Sequence, residues 1–252
     1  MALLVGSNVL AKYQNASLFR IAKYNWPVSE YDDWADAVDV LFNGSQSWRP
    51  RFYRSVSANS KLFGGMYFNT TSANHSSASK YPGSVAIQMM TRFFLSQKIR
   101  QLQLNQIYDQ FVITRADHYY LCAHDLSQLK GPHLWLPEGE DYHGYTDRHL
   151  VVSSDQVLAA LDLYPRLFVK ERERYDFVFS ASVDKAAHRN PEQLIKLLWD
   201  DMGLSIRRFA RVMFTCATEG DSRSTLGRTM RNKPVREGVH LKYPNEYGRS
   251  KS

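Results

Sequence analysis

The feature of this sequence that most constrains its fold is an alternation of short apolar runs with longer amphipathic segments. Short apolar runs between turn residues are typical of buried strands, and apolar residues at helical spacing indicate helices. Strands that alternate with helices favour a mostly parallel central sheet flanked by helices. We therefore predict an α/β chain that forms a single domain, in which ligands gather just past the carboxyl ends of the strands.

Local patterns place the individual elements. Strands are expected at residues 2–6, 17–22, 108–122, 134–136, 151–152 and 208–216, and helices at residues 8–14, 31–42, 85–104, 156–168 and 191–201. Pro27 is interpreted as a break in the chain, whereas Pro191 suits the first position of the last helix. Gly203 suits that helix's C-terminal end. Residues 43–84 exceed a usual connection in length, which is typical of a functional loop or of partial disorder.

Composition and charge narrow the functional classes. A chain of 252 residues, 44% of them hydrophobic, is long enough for a sizeable core. Its net charge of +7 favours anionic partners, but the basic residues are spread out and no nucleic-acid-binding motif occurs, so nucleic acid is not among the predicted partners. No apolar run is long enough to span a membrane. We expect a cytoplasmic protein, and a luminal fragment of a membrane-anchored parent remains the open alternative.

The first constellation that could carry chemistry is the segment Thr114-Arg115-Ala116-Asp117-His118, which follows a predicted strand. A carboxylate at a strand end can hold a divalent cation, because such ions prefer hard oxygen ligands. A structural ion pair between Arg115 and Asp117 is the equally weighted alternative. The spacing alone leaves both readings open.

The second constellation is the loop at residues 137–149, PEGEDYHGYTDRH, which has four carboxylates, two histidines and two glycines. Crowded acids raise one another's pKa unless cations compensate, so such a cluster suits metal binding or general-base work. A solvent-exposed acidic turn is the structural alternative. A third candidate is Lys242, whose ammonium could bind a diphosphate if the C-terminal segment folds back over the strand ends.

At these residues the sequence resembles a known family. The runs YDQFVITRADHYYLC, LWLPEGEDYHGYTDRHLV and HLKYPNEY are similar to poorly characterised glycosyltransferase-like proteins of plants, algae and large algal viruses. Members of that family have a strand ending in Arg-x-Asp, a PEGEDYGG-x-x-DR loop and a late KYP-x-EY motif. The resemblance is close over residues 108–152, loose over residues 190–247, and extends over the N-terminal third only in outline.

The resemblance implies a glycosyltransferase-A-like fold, a nucleotide-sugar donor, a glycan acceptor, and a divalent cation, Mn²⁺ or Mg²⁺. It implies that residues 1–107 form a nucleotide-binding half and residues 108–252 a metal and acceptor half. Asp117 matches the metal-binding acid, although Arg115 stands where a second acid would be expected. Asp147 matches the acid of the family's Asp-Arg element and is the first choice for contacting or deprotonating the acceptor hydroxyl. The remaining implied site residues are Glu138, Glu140 and Asp141 as further candidates for that role, and Gly6, Ser7, Arg115 and Lys242 for the nucleotide and its diphosphate.

The leading hypothesis is therefore transfer of a sugar from a nucleotide donor, with a uridine diphosphate sugar favoured, to a glycan hydroxyl. Inversion at the anomeric carbon is expected if Asp147 is the base, and retention if no base aligns with the acceptor. One alternative is a metal-dependent phosphoesterase, for which His118, His143 and His149 would supply ligands. The other is a non-catalytic module that binds glycan or nucleic acid.

Overall fold

A computed structural model describes residues 2–6, 20–29, 39–40, 42–49, 84–167, 173–175, 191–217, 240–241, 243 and 246–247. The chain divides into two compact units, the first made of Met1–Leu102 with Tyr164–Val183, and the second of Gln103–Leu163 with Asp184–Ser252. These bounds differ from the predicted halves at residues 1–107 and 108–252, whose functional assignment stays a prediction. The predicted helix at residues 8–14 lies outside the described residues.

The first unit contains a parallel pair of strands, β1 (Ala2–Gly6) and β2 (Tyr24–Val28). The prediction of β1 is confirmed. The strand expected at residues 17–22 is not found among the described residues, because Arg20 and Ile21 are helical. Strand β2 instead follows the alternation of Tyr24, Trp26 and Val28, in which Trp26 is the buried residue. Pro27 lies inside this strand, where an edge position tolerates its missing N–H.

The same unit contains the longest described helix, α1 (Ser84–Gln101). Its prediction is confirmed, although it ends before residue 104. Gln103 adopts a left-handed conformation with φ of 50°, which an α-helix cannot continue through. Met89, Met90 and Ile99 are almost completely buried along the helix, so packing stabilises it over most of its length.

The second unit is built on a four-stranded sheet in the order β3-β6-β5-β7. Its strands are β3 (Gln110–Thr114), β5 (Leu134–Pro137), β6 (His149–Ser153) and β7 (Ile206–Phe209). Strand β6 runs antiparallel to both β3 and β5, and β5 runs parallel to β7. The sheet is therefore mixed. Leu150, Val151 and Val152 are completely buried, which makes β6 the centre of this unit's core.

A second sheet in this unit has the order β4-β8-β9, with both pairings antiparallel. Its strands are β4 (His118–Tyr120), β8 (Met213–Ala217) and β9 (His240–Leu241). The sequence predicted single strands at residues 108–122 and 208–216. Each of these segments instead contributes to both sheets, because a turn at residues 115–117 divides the first and an irregular segment at residues 210–212 divides the second.

The described part of the second unit also contains the helices α2 (Leu104–Ile107), α3 (Val157–Leu161) and α5 (Pro191–Asp201). A further short helix, α4 (Leu163–Pro165), crosses the boundary between the two units. Helix α5 has its predicted bounds, and Gly203 follows it with the positive φ of 67° that a helix C-terminus favours. The side chain of Trp199 on α5 donates a hydrogen bond to the carbonyl of Ala160 on α3, at 3.2 Å. The mixture of helices and strands confirms the predicted α/β class, and both sheets that carry the site are mixed or antiparallel.

Candidate functional site

The candidate site is a charged cluster in the second unit, formed by three segments that are far apart in the sequence. These are the turn at residues 115–117, the loop at residues 138–148 between β5 and β6, and the C-terminal residues 243 and 246. Arg211, in the short segment between β7 and β8, joins them. The cluster brings together the three motifs on which the family resemblance depends.

Arg115 and Asp117 form a bidentate ion pair at the turn between β3 and β4. Nε and Nη2 of Arg115 each donate to a separate carboxylate oxygen of Asp117, both at 2.7 Å. The two side chains are 36% and 32% exposed, so the pair is accessible to solvent. Burial acts to lower the pKa of Arg115, but the hydrogen bonds and charge of Asp117, assisted by Asp147, raise it overall. The structural alternative considered for this segment is therefore present in the fold.

The backbone of Asp117 is tied to the second sheet. Its carbonyl oxygen accepts a hydrogen bond from the backbone N–H of Cys216 at 2.9 Å and from the thiol of Cys216 at 3.2 Å. Because β4 begins directly after Asp117, this contact holds the turn where the chain leaves the first sheet. The position of the ion pair is thus determined by both sheets together.

The loop at residues 138–148 has an unusual backbone. Gly139, Glu140, Tyr142 and His143 all have positive φ values, between 47° and 79°. Side chains other than glycine rarely adopt this conformation, and residues held in it concentrate at functional sites. Gly144 packs so closely against the first turn of α5 that an added Cβ would lie 2.0 Å from the backbone carbonyl of Glu192. The loop is therefore held in one conformation by its neighbours.

Two of the loop's acids accept hydrogen bonds from different partners. Asp141 accepts hydrogen bonds from the backbone of Thr146 at 3.1 Å and from Nη1 of Arg208 at 2.9 Å. Glu140 accepts a hydrogen bond from the hydroxyl of Tyr142. Burial, and then this hydrogen bond, raise the pKa of Tyr142 to about 12. Glu138 is exposed, and only its backbone is bound to the rest of the cluster. Glu138, Glu140 and Asp141, three of the four acids in the loop, thus differ in their partners and in their exposure.

Asp147 is the loop acid whose charge acts on Arg115, Arg148 and Glu192. It is partly buried. Its charge acts on three neighbours, since it raises the pKa of Arg115, of Arg148 and of Glu192. Asp147 is therefore within electrostatic range of the Arg115–Asp117 pair. The two acids that the resemblance assigned to the donor and acceptor sides belong to the same cluster.

Arg148 connects the loop to the C-terminal segment. Its Nη1 lies 2.9 Å from a carboxylate oxygen of Glu246, and its guanidinium carbon lies 4.1 Å from the ring centre of Tyr243. Burial acts to lower the pKa of Arg148, but Tyr243, Glu246 and Asp147 raise it overall. The guanidinium is thus a permanent cation, paired and buried.

Glu246 is the completely buried centre of the cluster. One of its carboxylate oxygens accepts a hydrogen bond from the backbone N–H of Thr215 at 2.6 Å. The other lies near both Arg148 and Arg211, at 2.9 Å and 3.4 Å. Arg211 in turn donates to the carbonyls of Glu138 and Gly139, at 2.8 Å and 2.9 Å. Glu246 therefore links the C-terminal segment to both ends of the loop.

Sequence reasoning missed Glu246, Arg211 and Glu192. Glu246 lies inside the quoted KYPNEY motif, so the resemblance contained a signal for it. Glu192 lies in the first turn of α5, a position common for acids in any helix. Burial, and then the charge of Asp147, raise the pKa of Glu192 to about 7. Burial against the loop is what distinguishes Glu192 from an ordinary acid in the first turn of a helix.

Three histidines form a neutral group beside this cluster. The hydroxyl oxygen of Thr114 lies 3.0 Å from Nδ1 of both His118 and His149, and Nε2 of His149 lies 3.2 Å from Nε2 of His124. Burial is the main cause that lowers the pKa of His118 to about 4 and that of His149 to about 3. Both imidazoles are therefore uncharged at neutral pH. His143, the third histidine considered as a metal ligand, is exposed on the loop.

The residues of the cluster do not fit a divalent cation. Among the residues that the structure describes, no three His, Cys, Asp or Glu side chains form a group that could hold a metal ion. Both oxygens of Asp117, the predicted ligand, are bound by Arg115. A divalent ion there would lie beside the guanidinium, and charges of +2 and +1 about 4 Å apart repel by roughly 8 kcal/mol at an effective dielectric constant of about 20.

Of the predicted nucleotide-binding residues, Arg115 belongs to this cluster. Gly6 is the last residue of β1 in the first unit. Ser7 and Lys242 lie outside the described residues. Their roles stay predictions.

Comparison with protein-family models, with curated proteins and with solved structures found no significant match. In the described part of the chain, no helix combines the length and hydropathy needed to cross a bilayer.

Proposed function

We propose that this protein is a glycosyltransferase that moves a sugar from a nucleotide-sugar donor, of the uridine diphosphate class, to a glycan hydroxyl. The observation that carries the proposal is the meeting of the Arg-x-Asp turn, the loop ending in Asp147-Arg148 and the buried Glu246 in one charged cluster. These are the segments that resemble glycosyltransferase-like proteins. Residues that act together on one substrate must lie together in the fold, and these residues do.

The chemistry assigned to the cluster is one displacement at the anomeric carbon. The acceptor oxygen forms a bond to that carbon as the bond from the carbon to the diphosphate oxygen breaks, and the electron pair leaves with the diphosphate. The carboxylate of Asp147 takes the proton from the acceptor hydroxyl. General-base assistance of this kind contributes about 10²–10⁴-fold to a rate. One displacement inverts the configuration of the sugar.

The surroundings of Asp147 favour it over the other loop acids for this role. Asp141 is held by Arg208 and Thr146, and Glu140 by Tyr142, so the contacts of both stabilise the loop itself. Asp147 acts electrostatically on Arg115, whose charge can offset that of a leaving diphosphate. Gly6, Ser7 and Lys242 are proposed to bind the nucleotide. A glycosyltransferase-A-like arrangement of the α/β chain belongs to this proposal.

A thermal-shift screen of nucleotide sugars, each with manganese and with a chelator, tests the proposal. A ligand that binds the folded state raises its apparent stability, by about 2.7 kcal/mol when present at about 100 times its dissociation constant. A hit is then incubated with candidate glycan acceptors, and the product is identified by mass spectrometry. If no nucleotide sugar shifts the melting temperature and none is consumed, the proposal is wrong.

A further inference from the structure

We propose that the transfer does not use a divalent cation at Asp117, and that the guanidinium of Arg115 stabilises the leaving diphosphate while Asp117 holds it in position. This inference rests on the proposed function and assigns new roles to two of its residues. Arg115 becomes the group that contacts the diphosphate, and Asp117 becomes a positioning residue rather than a metal ligand.

The geometry of the pair supports this division of roles. A guanidinium has five N–H donors, and the contact with Asp117 engages Nε–H and one N–H of Nη2. The remaining three N–H groups lie on Nη1 and on the outer side of Nη2. Two neighbouring N–H groups on one edge of a guanidinium match two phosphate oxygens. Because Asp117 binds the inner edge, it fixes the direction in which the outer edge points.

The accessibility of the pair distinguishes it from the other arginines of the cluster. About a third of the Arg115 side chain is exposed, whereas Arg148 and Arg211 are almost completely buried and directed at Glu246. Arg208, which is also accessible, is bound to the loop through Asp141 and the carbonyl of Pro137. Arg115 thus combines access with a fixed orientation, and its contact with Asp117 engages Nε and Nη2 but not Nη1.

The position of the pair relative to Asp147 fits the reaction. Charge develops on the diphosphate oxygen as its bond to the anomeric carbon breaks, and the acceptor proton passes to Asp147 on the other side of the sugar. Asp147 acts electrostatically on Arg115, so the two groups are close enough to serve one substrate. The guanidinium then supplies the positive charge that a divalent cation would otherwise supply.

Calorimetry with uridine diphosphate and guanosine diphosphate as probes tests the inference. The wild-type protein is titrated in chelator and in manganese, and equal dissociation constants are expected. Arg115→Gln should weaken binding of the diphosphate at least tenfold, because it removes a charge-assisted bidentate contact. Arg115→Lys should recover part of the lost affinity, because the lysine ammonium still supplies a positive point charge. In chelator, Asp117→Asn should bind the diphosphate more weakly than the wild type. Asp117→Glu, which keeps a carboxylate, should bind it more tightly than Asp117→Asn.

The matched control is Arg49→Gln in the first unit. Nε and Nη2 of Arg49 also bind the two carboxylate oxygens of one acid, Asp39, so this variant removes the same kind of ion pair at a residue to which no binding role is assigned. Its diphosphate binding should equal that of the wild type. Arg115→Gln should in addition lower kcat for transfer more than it raises the donor KM, because the charge on the diphosphate grows in the transition state.

Each outcome decides the question. Tighter binding in manganese that disappears in Asp117→Asn would show that Asp117 is a metal ligand, which overturns this inference and leaves the glycosyltransferase proposal standing. Diphosphate binding by Arg115→Gln equal to that of Arg49→Gln would also overturn it. Failure of both nucleotides and of all nucleotide sugars to bind, with manganese or without, would remove the proposed function and this inference together.

Discussion

The neutral histidines beside the cluster should make the protein less stable in mild acid. His118 and His149 have folded-state pKa values of about 4 and about 3, below the ordinary value of 6.5. Between pH 7 and pH 5 the unfolded chain therefore binds protons that the folded chain excludes. Stability rises with pH wherever the unfolded state binds more protons, so it falls as the pH falls through this window.

The size of the loss follows from these pKa values. For one group whose pKa is 6.5 when unfolded and 4 or below when folded, the free energy of unfolding falls by about 2 kcal/mol between pH 7 and pH 5. The two histidines together contribute a loss of about 4 kcal/mol. Total stabilities are typically about 5–15 kcal/mol, so this is a large fraction. Burial also lowers the pKa of His124, which adds to the loss.

Glu192 opposes this effect and must be removed to measure it. Its folded-state pKa is raised to about 7 from an ordinary value of 4.5, so the folded state takes up a proton that the unfolded state does not bind in most of this window. The folded state gains about 2 kcal/mol between pH 7 and pH 5 from this group. The wild type should therefore lose about 2 kcal/mol, and Glu192→Gln about 4 kcal/mol.

Urea unfolding followed by circular dichroism at pH 7, 6 and 5 measures these changes. In the Glu192→Gln background, adding His149→Gln should halve the change in the free energy of unfolding between pH 7 and pH 5. Adding His143→Asn, which changes an exposed loop histidine, should leave it unchanged. The range ends at pH 5 because Asp39, whose pKa is lowered, begins to lose its stabilising effect below that. A free energy of unfolding that is constant or rises from pH 7 to pH 5 in Glu192→Gln would refute the reasoning.

Three further predictions concern the loop and its supports. Gly144→Ala should destabilise the second unit by several kcal/mol, because its Cβ would collide with the backbone of Glu192; a thermal denaturation midpoint equal to the wild type would contradict this. Glu246→Ala should cost about 3–5 kcal/mol in urea unfolding, since it leaves Arg148 and Arg211 buried without their carboxylate, and a loss under about 1 kcal/mol would show that the pair is dispensable. Asp147→Asn should keep the wild-type melting temperature and lose transfer by about 10²-fold or more, and near-wild-type turnover would remove Asp147 from the mechanism.

Local patterns predicted several elements correctly for a physical reason. Helix α5 has its predicted bounds because Pro191 suits a first helical turn and Gly203 can adopt the left-handed conformation that ends a helix. Strand β1 and the β-forming run of β3 were also predicted from their own residues. In each case the deciding interactions lie within a few positions along the chain.

Where the prediction was wrong, the deciding interactions were distant ones. Residues 108–122 have the composition of one strand, yet they divide at Asp117 because its carbonyl binds Cys216 of β8. Residues 17–22 are apolar enough for a strand, but the partner of β1 is β2, which pairs with it in parallel from Ala2 with Tyr24 to Gly6 with Val28. Strand propensity describes how well a residue suits a sheet and does not name the sheet that will accept it.

At the site, too, some features follow from the local sequence and others from distant contacts. The sequence by itself determined which residue types are present at the Arg-x-Asp turn, in the acidic loop and in the C-terminal motif, and it indicated that they carry one function. Only the tertiary structure decided their states: Asp117 binds Arg115, Asp141 binds Arg208, and Glu246 is completely buried. Whether a charged group is paired or available depends on burial and on partners up to 98 positions away along the chain, as for Arg148 and Glu246. Spacing along the sequence reveals neither the burial of a residue nor its distant partners.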